Sequence, residues 1–214
     1  SYCNEAGIGE DCLKLNVWTQ DTETKDKPVI VYLHGGGFAW GGPADPLYGG
    51  QFIAQRHEDV VVVTVGFRVG LMGLMDFSKV EGGEEFEDSD NLMLMDAQES
   101  LRWIKKNIEA FGGNPENVTI FGESAGGAMV SLLMVAKGSE GLFQHAIAES
   151  GCVNLTYNQE DFDHAINGEM SITDALLEKT GAKNMDDLMA IPEEELIETY
   201  LPYDEHEFSI GDYF

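Results

Sequence analysis

The sequence predicts an α/β fold: a mostly parallel sheet with flanking helices, followed by a short helical segment. Three observations carry that expectation. Strand-like apolar runs recur at 28–33, 60–65, 118–121 and 144–149. A long amphipathic stretch separates the second from the third. Two of the runs lead straight into glycine-rich turns, His34-Gly35-Gly36-Gly37 and Gly122-Glu123-Ser124-Ala125-Gly126. Strands alternating with helices imply βαβ units, and so parallel pairing with helices on both faces. In such sheets ligands bind beyond the carboxyl ends of the strands, where both glycine motifs fall.

The elements follow in order. Leu13-Lys14-Leu15-Asn16-Val17-Trp18-Thr19 alternates apolar and polar residues, as a half-exposed strand does. Residues 20–27 are polar and read as a turn. Pro28-Val29-Ile30-Val31-Tyr32-Leu33 is nearly continuous in apolar residues, the pattern of a strand buried on both faces. A long loop with Gly41, Gly42, Pro43 and Pro46 comes next, then a short helix within 48–57. Val60-Val61-Val62-Val63-Thr64-Val65 is the strongest strand. Residues 66–73 turn away and 82–90 form an acidic loop, with Ser89 or Asp90 able to cap the next helix. Leu94, Ala97, Leu101, Ile104, Ile108 and Phe111 recur at spacings of three and four, one apolar helix face. Gly112-Gly113-Asn114-Pro115 stops that helix. After a last strand at 144–149, short helices are expected at 172–179, 185–190 and 193–200. A boundary near 153 divides a core portion, 1–153, from an acidic, mainly helical segment, 154–214.

The chain has 214 residues, 39 of them acidic and 12 basic, for a net charge of −27. Such a surface is a poor partner for nucleic acid or an anionic membrane. Residues 140–214 hold 18 of the acids against only Lys179 and Lys183. A solvated surface accounts for this more simply than adaptation to high salt. No run of about 18 apolar residues exists to span a membrane. Residues 1–5 lack the basic and apolar regions of a signal peptide. The chain reads as soluble, with secreted and cytoplasmic placement both open. The three cysteines, Cys3, Cys12 and Cys152, fit no zinc spacing. Cys3 and Cys12 could close a small loop, and Cys152 reads as a small buried side chain. No metal cluster or phosphate loop stands out, so no cofactor is expected. The sequons at Asn117 and Asn154 are formal glycosylation acceptors, the first at the start of a buried strand.

Val118-Thr119-Ile120-Phe121 followed by G-x-S-x-G and a helical run is strand, sharp turn and helix: a nucleophile elbow. Ser124 is the candidate nucleophile. Acyl transfer also needs donors for the developing oxyanion. The backbone N–H of Ala125 is one, and those of Gly36 and Gly37 are the further candidates. Glu123 reads equally as a site carboxylate or as a structural hydrogen-bonding group, and Ser150 is similarly open. Asp96 and Trp103 read as structural. Among the histidines, His34 belongs to the glycine loop and His145 to a strand. His164 and His206 lie in the acidic segment and take no assignment.

These residues resemble a known family. Glu10-Asp11-Cys12-Leu13-Lys14-Leu15-Asn16-Val17-Trp18 resembles the E-D-C-L-x-L-N-[VI]-[WY] signature of type-B carboxylesterases, the cholinesterase-like branch of the α/β-hydrolases. Segments 28–38, 61–73, 107–127 and 146–151 match the same family in the same order. Residues 91–98 depart from its N-x-G-L-x-D-Q pattern, with Met93 for glycine and Ala97 for glutamine. The resemblance implies a serine esterase acting on a small-molecule carboxylic ester. In it, Ser124 matches the nucleophile, Gly36, Gly37 and Ala125 the oxyanion donors, and Glu123 a glutamate beside the serine. Cys12 matches a cysteine that pairs with one further upstream. Family members extend beyond both ends of this chain, with their triad acid and histidine in the C-terminal part. The expectation is therefore an internal fragment of an incomplete α/β-hydrolase, covered by a complementing C-terminal polypeptide or by self-association. A non-catalytic binding module and an inert fragment are the alternatives.

Overall fold

The structure is a computed structural model that describes residues 11–151, 172–192 and 195–196. Cys3, Cys152, Asn154, His164, His206 and most of the helix expected at 193–200 lie outside the described residues. The chain divides into two compact units, residues 1–70 with 93–155 and residues 71–92 with 156–214.

The first unit holds a five-stranded sheet in the order β1-β3-β2-β4-β5. Its strands are β1 (Leu15–Trp18), β2 (Lys27–Leu33), β3 (Val61–Val65), β4 (Gly113–Glu123) and β5 (His145–Glu149). β1 runs antiparallel to β3 and every other pairing is parallel. The mostly parallel sheet is the expected one. All five residues of β3 are buried, as a β-branched run flanked by two strands requires. Val29, Val31, Leu33, Val118 and Ile120 are fully buried on one face of β2 and β4.

Helix α1 (Gln51–Arg56) covers β3 on the other face, where Ala54, Val60 and Val62 pack with Trp18 and Ile30. Helix α3 (Leu92–Asn107) buries Ala97, Leu101 and Ile104 of the face read from spacing, but at its start Met93 is buried and the expected Leu94 is only half-buried. It tightens into a 3-10 turn at Ile108–Phe111, closed by Gly112 at φ 85°. Helix α4 (Ala125–Leu133) follows β4. β4 begins five residues before Val118, at Gly113. Asn114 and Pro115 ride through a register irregularity opposite β2, which excuses proline from the ladder.

Asp96 is structural, as expected. Its buried carboxylate takes Arg68 Nε at 2.8 Å, another guanidinium nitrogen at 2.7 Å and the Arg68 backbone N–H at 3.0 Å. Trp103 packs against Phe111, ring centroids 6.2 Å apart. Cys12 is an exposed free thiol.

The second unit has its own core of Met75, Val80, Leu176, Ala182, Met185 and Leu188. Short helix α2 (Leu71–Leu74) overlaps the end of the stretch 66–73 expected to be a turn. α5 (Ile172–Thr180) and α6 (Met185–Met189) are the expected short helices. The Met185 N–H donates to Glu81 O at 2.9 Å, and Thr173 Oγ1 to Asp76 O at 3.2 Å. No helix among the described residues is long and apolar enough to cross a membrane.

Lys27 sits in the expected turn yet is buried, with its ammonium on Asp21 Oδ2 at 2.9 Å, Asp21 O at 2.9 Å and Thr19 Oγ1 at 3.3 Å. The Thr24 N–H and then Lys27 draw the Asp21 carboxyl down to about 2. A carboxyl held below its unfolded value stabilises the fold above that value, and the contribution disappears as pH falls through the folded one. Asp21→Asn should therefore cost stability at neutral pH. The difference from the parent should shrink from about pH 4 and vanish near pH 2, read by urea unfolding across pH. A difference independent of pH would contradict this account.

Candidate active site

β2 and β4 are parallel neighbours that end in step, Leu33 opposite Gly122. β4 and β5 do the same, Glu123 opposite Glu149. His34, Ser124 and Ser150 each follow one of these strands. The two glycine motifs therefore emerge side by side at one edge of the sheet.

Ser124 has φ 57° and ψ −123°, a conformation that costs a non-glycine residue about 1–3 kcal/mol. Its surroundings hold it there. The Ser124 N–H donates to Glu149 O at 2.8 Å, and Ser124 O accepts from Ala128 N–H at 3.0 Å. Its hydroxyl makes no capping bond to α4. The turn closes backbone on backbone. A Cβ on Gly122 would lie 2.5 Å from Gly126 C, one on Gly126 would strike Leu33 O, and one on Gly151 would strike Ser124 O. The N–H of Ala125 opens α4, and the first N–H groups of a helix have no intrahelical acceptor.

In the other motif, Gly36, Gly37 and Phe38 have φ 115°, 59° and 61°. Gly36 O accepts from Ala39 N–H at 3.0 Å and Trp40 N–H at 3.2 Å, which fixes the peptide between Gly36 and Gly37. A Cβ on Gly35 would stand 3.4 Å from Ser124 Cβ and 2.9 Å from Glu123 O, so the loop touches the elbow directly. Further along, Pro43 O accepts from Asn16 Nδ2 at 2.9 Å and Thr64 Oγ1 at 2.8 Å, which ties the loop to β1 and β3. The structure thus brings Gly36, Gly37, Glu123, Ser124 and Ala125 to one locality. Gly35 and Gly151 complete it. Their triplet and strand-end positions showed glycine, but the close approaches they permit are tertiary.

Glu123 is exposed, and its Oε2 would be 3.5 Å from a Cβ on Gly35. Tyr32 packs on Tyr48 and Phe121, each at 4.9 Å between centroids. Burial pushes the Tyr32 hydroxyl pKa up, with Tyr48, Glu123 and Glu149 adding to the rise. His145 pairs with Thr119 at the start of β5, four residues before Glu149. At 3.3 Å per residue it stands about 13 Å down the sheet from the serine. His57 caps α1, ahead of β3 and at that same far end. An open groove of about 430 Å³ lies along β1, lined by Leu15, Trp18, Trp103 and Phe111. None of these lining residues carries a nucleophilic or titratable side chain.

The close approaches make the glycines unequal. Gly126→Ala should destabilise the chain by about 3 kcal/mol or more, because Leu33 O would have to move. Gly42→Ala, with nothing within 4 Å, should change stability by less than about 1 kcal/mol. Thermal unfolding of the pair checks this, and equal losses would refute it.

Comparison with known proteins places the fold in a family. The family model described as "Carboxylesterase family" matches residues 2–210. The chain is 46% identical over 151 residues to the para-nitrobenzyl esterase of Bacillus subtilis, covering 71% of this chain and 30% of that protein. It is 42% identical over 165 residues to the cholinesterase of Mus musculus, covering 77% of this chain and 26% of that one. The crystal structure of a Geobacillus stearothermophilus carboxylesterase superposes with a TM-score of 0.83 at 36% identity, over 94% of this chain and 41% of its own. The chain spans under a third of those two sequence relatives. The sheet and its helices are accordingly part of the carboxylesterase α/β-hydrolase fold, and the chain belongs to the carboxylesterase family.

Proposed function

We propose that this chain carries the nucleophile and oxyanion hole of a serine carboxylic-ester hydrolase. The observation behind the reading is the strained Ser124 at the start of α4, in contact with the glycine loop. Ser124 Oγ attacks the ester carbonyl carbon and gives its proton to a general base. The carbonyl oxygen becomes an oxyanion that accepts from the N–H groups of Gly36, Gly37 and Ala125. Collapse re-forms the carbonyl and expels the alcohol, which takes up the proton. Water then attacks the acyl-serine by the same route and releases the acid.

The described histidines do not offer the base: His145 and His57 stand at the far end of the sheet, and His34 is buried within the glycine loop. The triad histidine and acid are therefore assigned outside the described residues, with a complementing C-terminal polypeptide as one source. Glu123 is assigned as a carboxylate beside the nucleophile, and the substrate as a small-molecule carboxylic ester. The relatives support this class, being a para-nitrobenzyl esterase and a cholinesterase by name.

Labelling with a fluorophosphonate probe tests the reading, scored by intact mass and peptide mapping. One label on Ser124, absent from Ser124→Ala, is expected. A folded chain that stays unlabelled, alone and with a polypeptide matching the C-terminal portion of a relative, would overturn the assignment.

A further inference from the structure

His34 carries an observation that the mechanism above does not use. It follows β2 directly and is only 2% exposed. Its ring lies flat on Phe67, 4.2 Å between centroids and 5° between planes. Nδ1 is 2.9 Å from Gly35 O. A carbonyl oxygen only accepts, so Nδ1 carries the proton of that bond. Nε2 is then a lone pair, buried and without a hydrogen-bond partner among the described residues. A buried histidine is ordinarily satisfied at both nitrogens, so this ring is committed to the single bond it makes. Burial pushes its pKa down, against the opposing pull of the Gly35 carbonyl and Asp45, and favours the neutral ring.

We propose that His34 is a positioning residue of the oxyanion hole, which aims the Gly36 N–H by holding the Gly35 carbonyl. The inference rests on the reading of Gly36 as an oxyanion donor. In a trans peptide the C=O of residue 35 and the N–H of residue 36 share one plane and point in opposite directions. Holding the carbonyl against the imidazole turns the Gly36 N–H away from it. The plane needs such a hold because three successive glycines set little conformational preference of their own. The next plane, between Gly36 and Gly37, is held by the backbone N–H groups of Ala39 and Trp40. The plane between Gly35 and Gly36 is held by a side chain.

The packing fits this role. A Cβ on Gly41 would strike His34 Nδ1 and stand 2.8 Å from Gly35 O. The returning loop therefore lies over the hydrogen bond and shields it from water. Gly35 itself lies against Ser124. A rotation of this plane would reach the nucleophile without crossing any other residue.

Two variants separate aiming from packing. His34→Phe keeps a flat ring for Phe67 and removes the donor. His34→Asn places an N–H near the position of Nδ1. In the ¹⁵N-labelled parent, long-range imidazole spectra at about pH 7 should show a neutral ring protonated at Nδ1. The Nε2–H tautomer or an imidazolium would overturn the proposal. His34→Phe should shift the Gly36 amide resonance while leaving those of Ala39 and Trp40 near the parent's. His34→Asn should return it toward the parent position. With a fluorophosphonate probe, His34→Phe should slow the covalent step roughly 10-fold or more with little change in probe binding, and His34→Asn should recover most of the rate.

A folded His34→Phe chain with an unshifted Gly36 amide, or with parental labelling, would overturn the proposal. Should His34→Phe fail to fold, the parent tautomer and the His34→Asn spectrum still decide it. If the parent labels neither alone nor with the complementing polypeptide, the assignment of Ser124 fails, and the spectra judge the aiming of Gly36 by themselves.

Discussion

The approach of main chain to main chain around Ser124 governs the rest of this structure. Gly126 lies on Leu33 O, Gly151 on Ser124 O, and Gly127 near Glu149 O, each too close to admit a Cβ. The ends of β2, β4 and β5 and the start of α4 therefore meet with no side chains between them. Packing of this kind is less adaptable than side-chain packing, because backbone atoms have no alternative rotamers. The glycines that allow it each forfeit roughly 0.5–1 kcal/mol relative to alanine where the chain is regular. The layer beneath offsets that cost. Val29, Val31, Leu33, Val118 and Ile120 are fully buried, and each such side chain contributes about 1.5–3 kcal/mol.

Strain at the elbow is shared rather than isolated. Ser124 and Ser150 are both non-glycine residues at positive φ, 57° and 52°. The bond from Ser124 N–H to Glu149 O joins the two turns, since Ser150 follows Glu149. The five residues of β5 are exposed in this chain, which spans under a third of its two sequence relatives. At the end of β5, Glu149 and Gly151 support the serine from the side opposite the glycine loop. The elbow is thus braced from two strands, and neither brace involves a catalytic side chain.

The parts of this arrangement legible in the sequence were those with a local signature. β3 declared itself by five β-branched residues, α3 by its three-and-four spacing, and the two turns by their glycines. Lys27 was not legible as a buried residue, because a lysine after Lys25 and Asp26 reads as surface; only the fold shows Asp21 and Thr19 turned to meet it. β4 reached back to Gly113 because the ladder with β2 tolerates an irregularity there, which no residue pattern foretells. The packing of 71–92 with 172–192 into one core joins stretches about 80 residues apart, beyond any periodicity. His145 was correctly read as a strand residue. Its distance from Ser124 depended on strand register, which one strand's sequence does not contain. The site's glycines were visible as residues, but what each one lies against was not.

Register also decides whether the three N–H groups can act together. Ala125 belongs to α4, while Gly36 and Gly37 belong to the loop after β2. Nothing in either segment alone sets the distance between them. That distance follows from Leu33 standing opposite Gly122. A slip of one residue would move the serine by about 3.3 Å relative to the loop and turn every side chain of β4 to the wrong face. A misplacement near 1 Å is enough to cost about 10²-fold in rate. The alternation that buries Val29, Val31 and Leu33 with Val118 and Ile120 forbids the slip, because the alternative register would bury Thr119 and Glu123. The hydrophobic pattern of two strands therefore aligns the proposed oxyanion hole, and the glycines only permit the closeness that alignment demands.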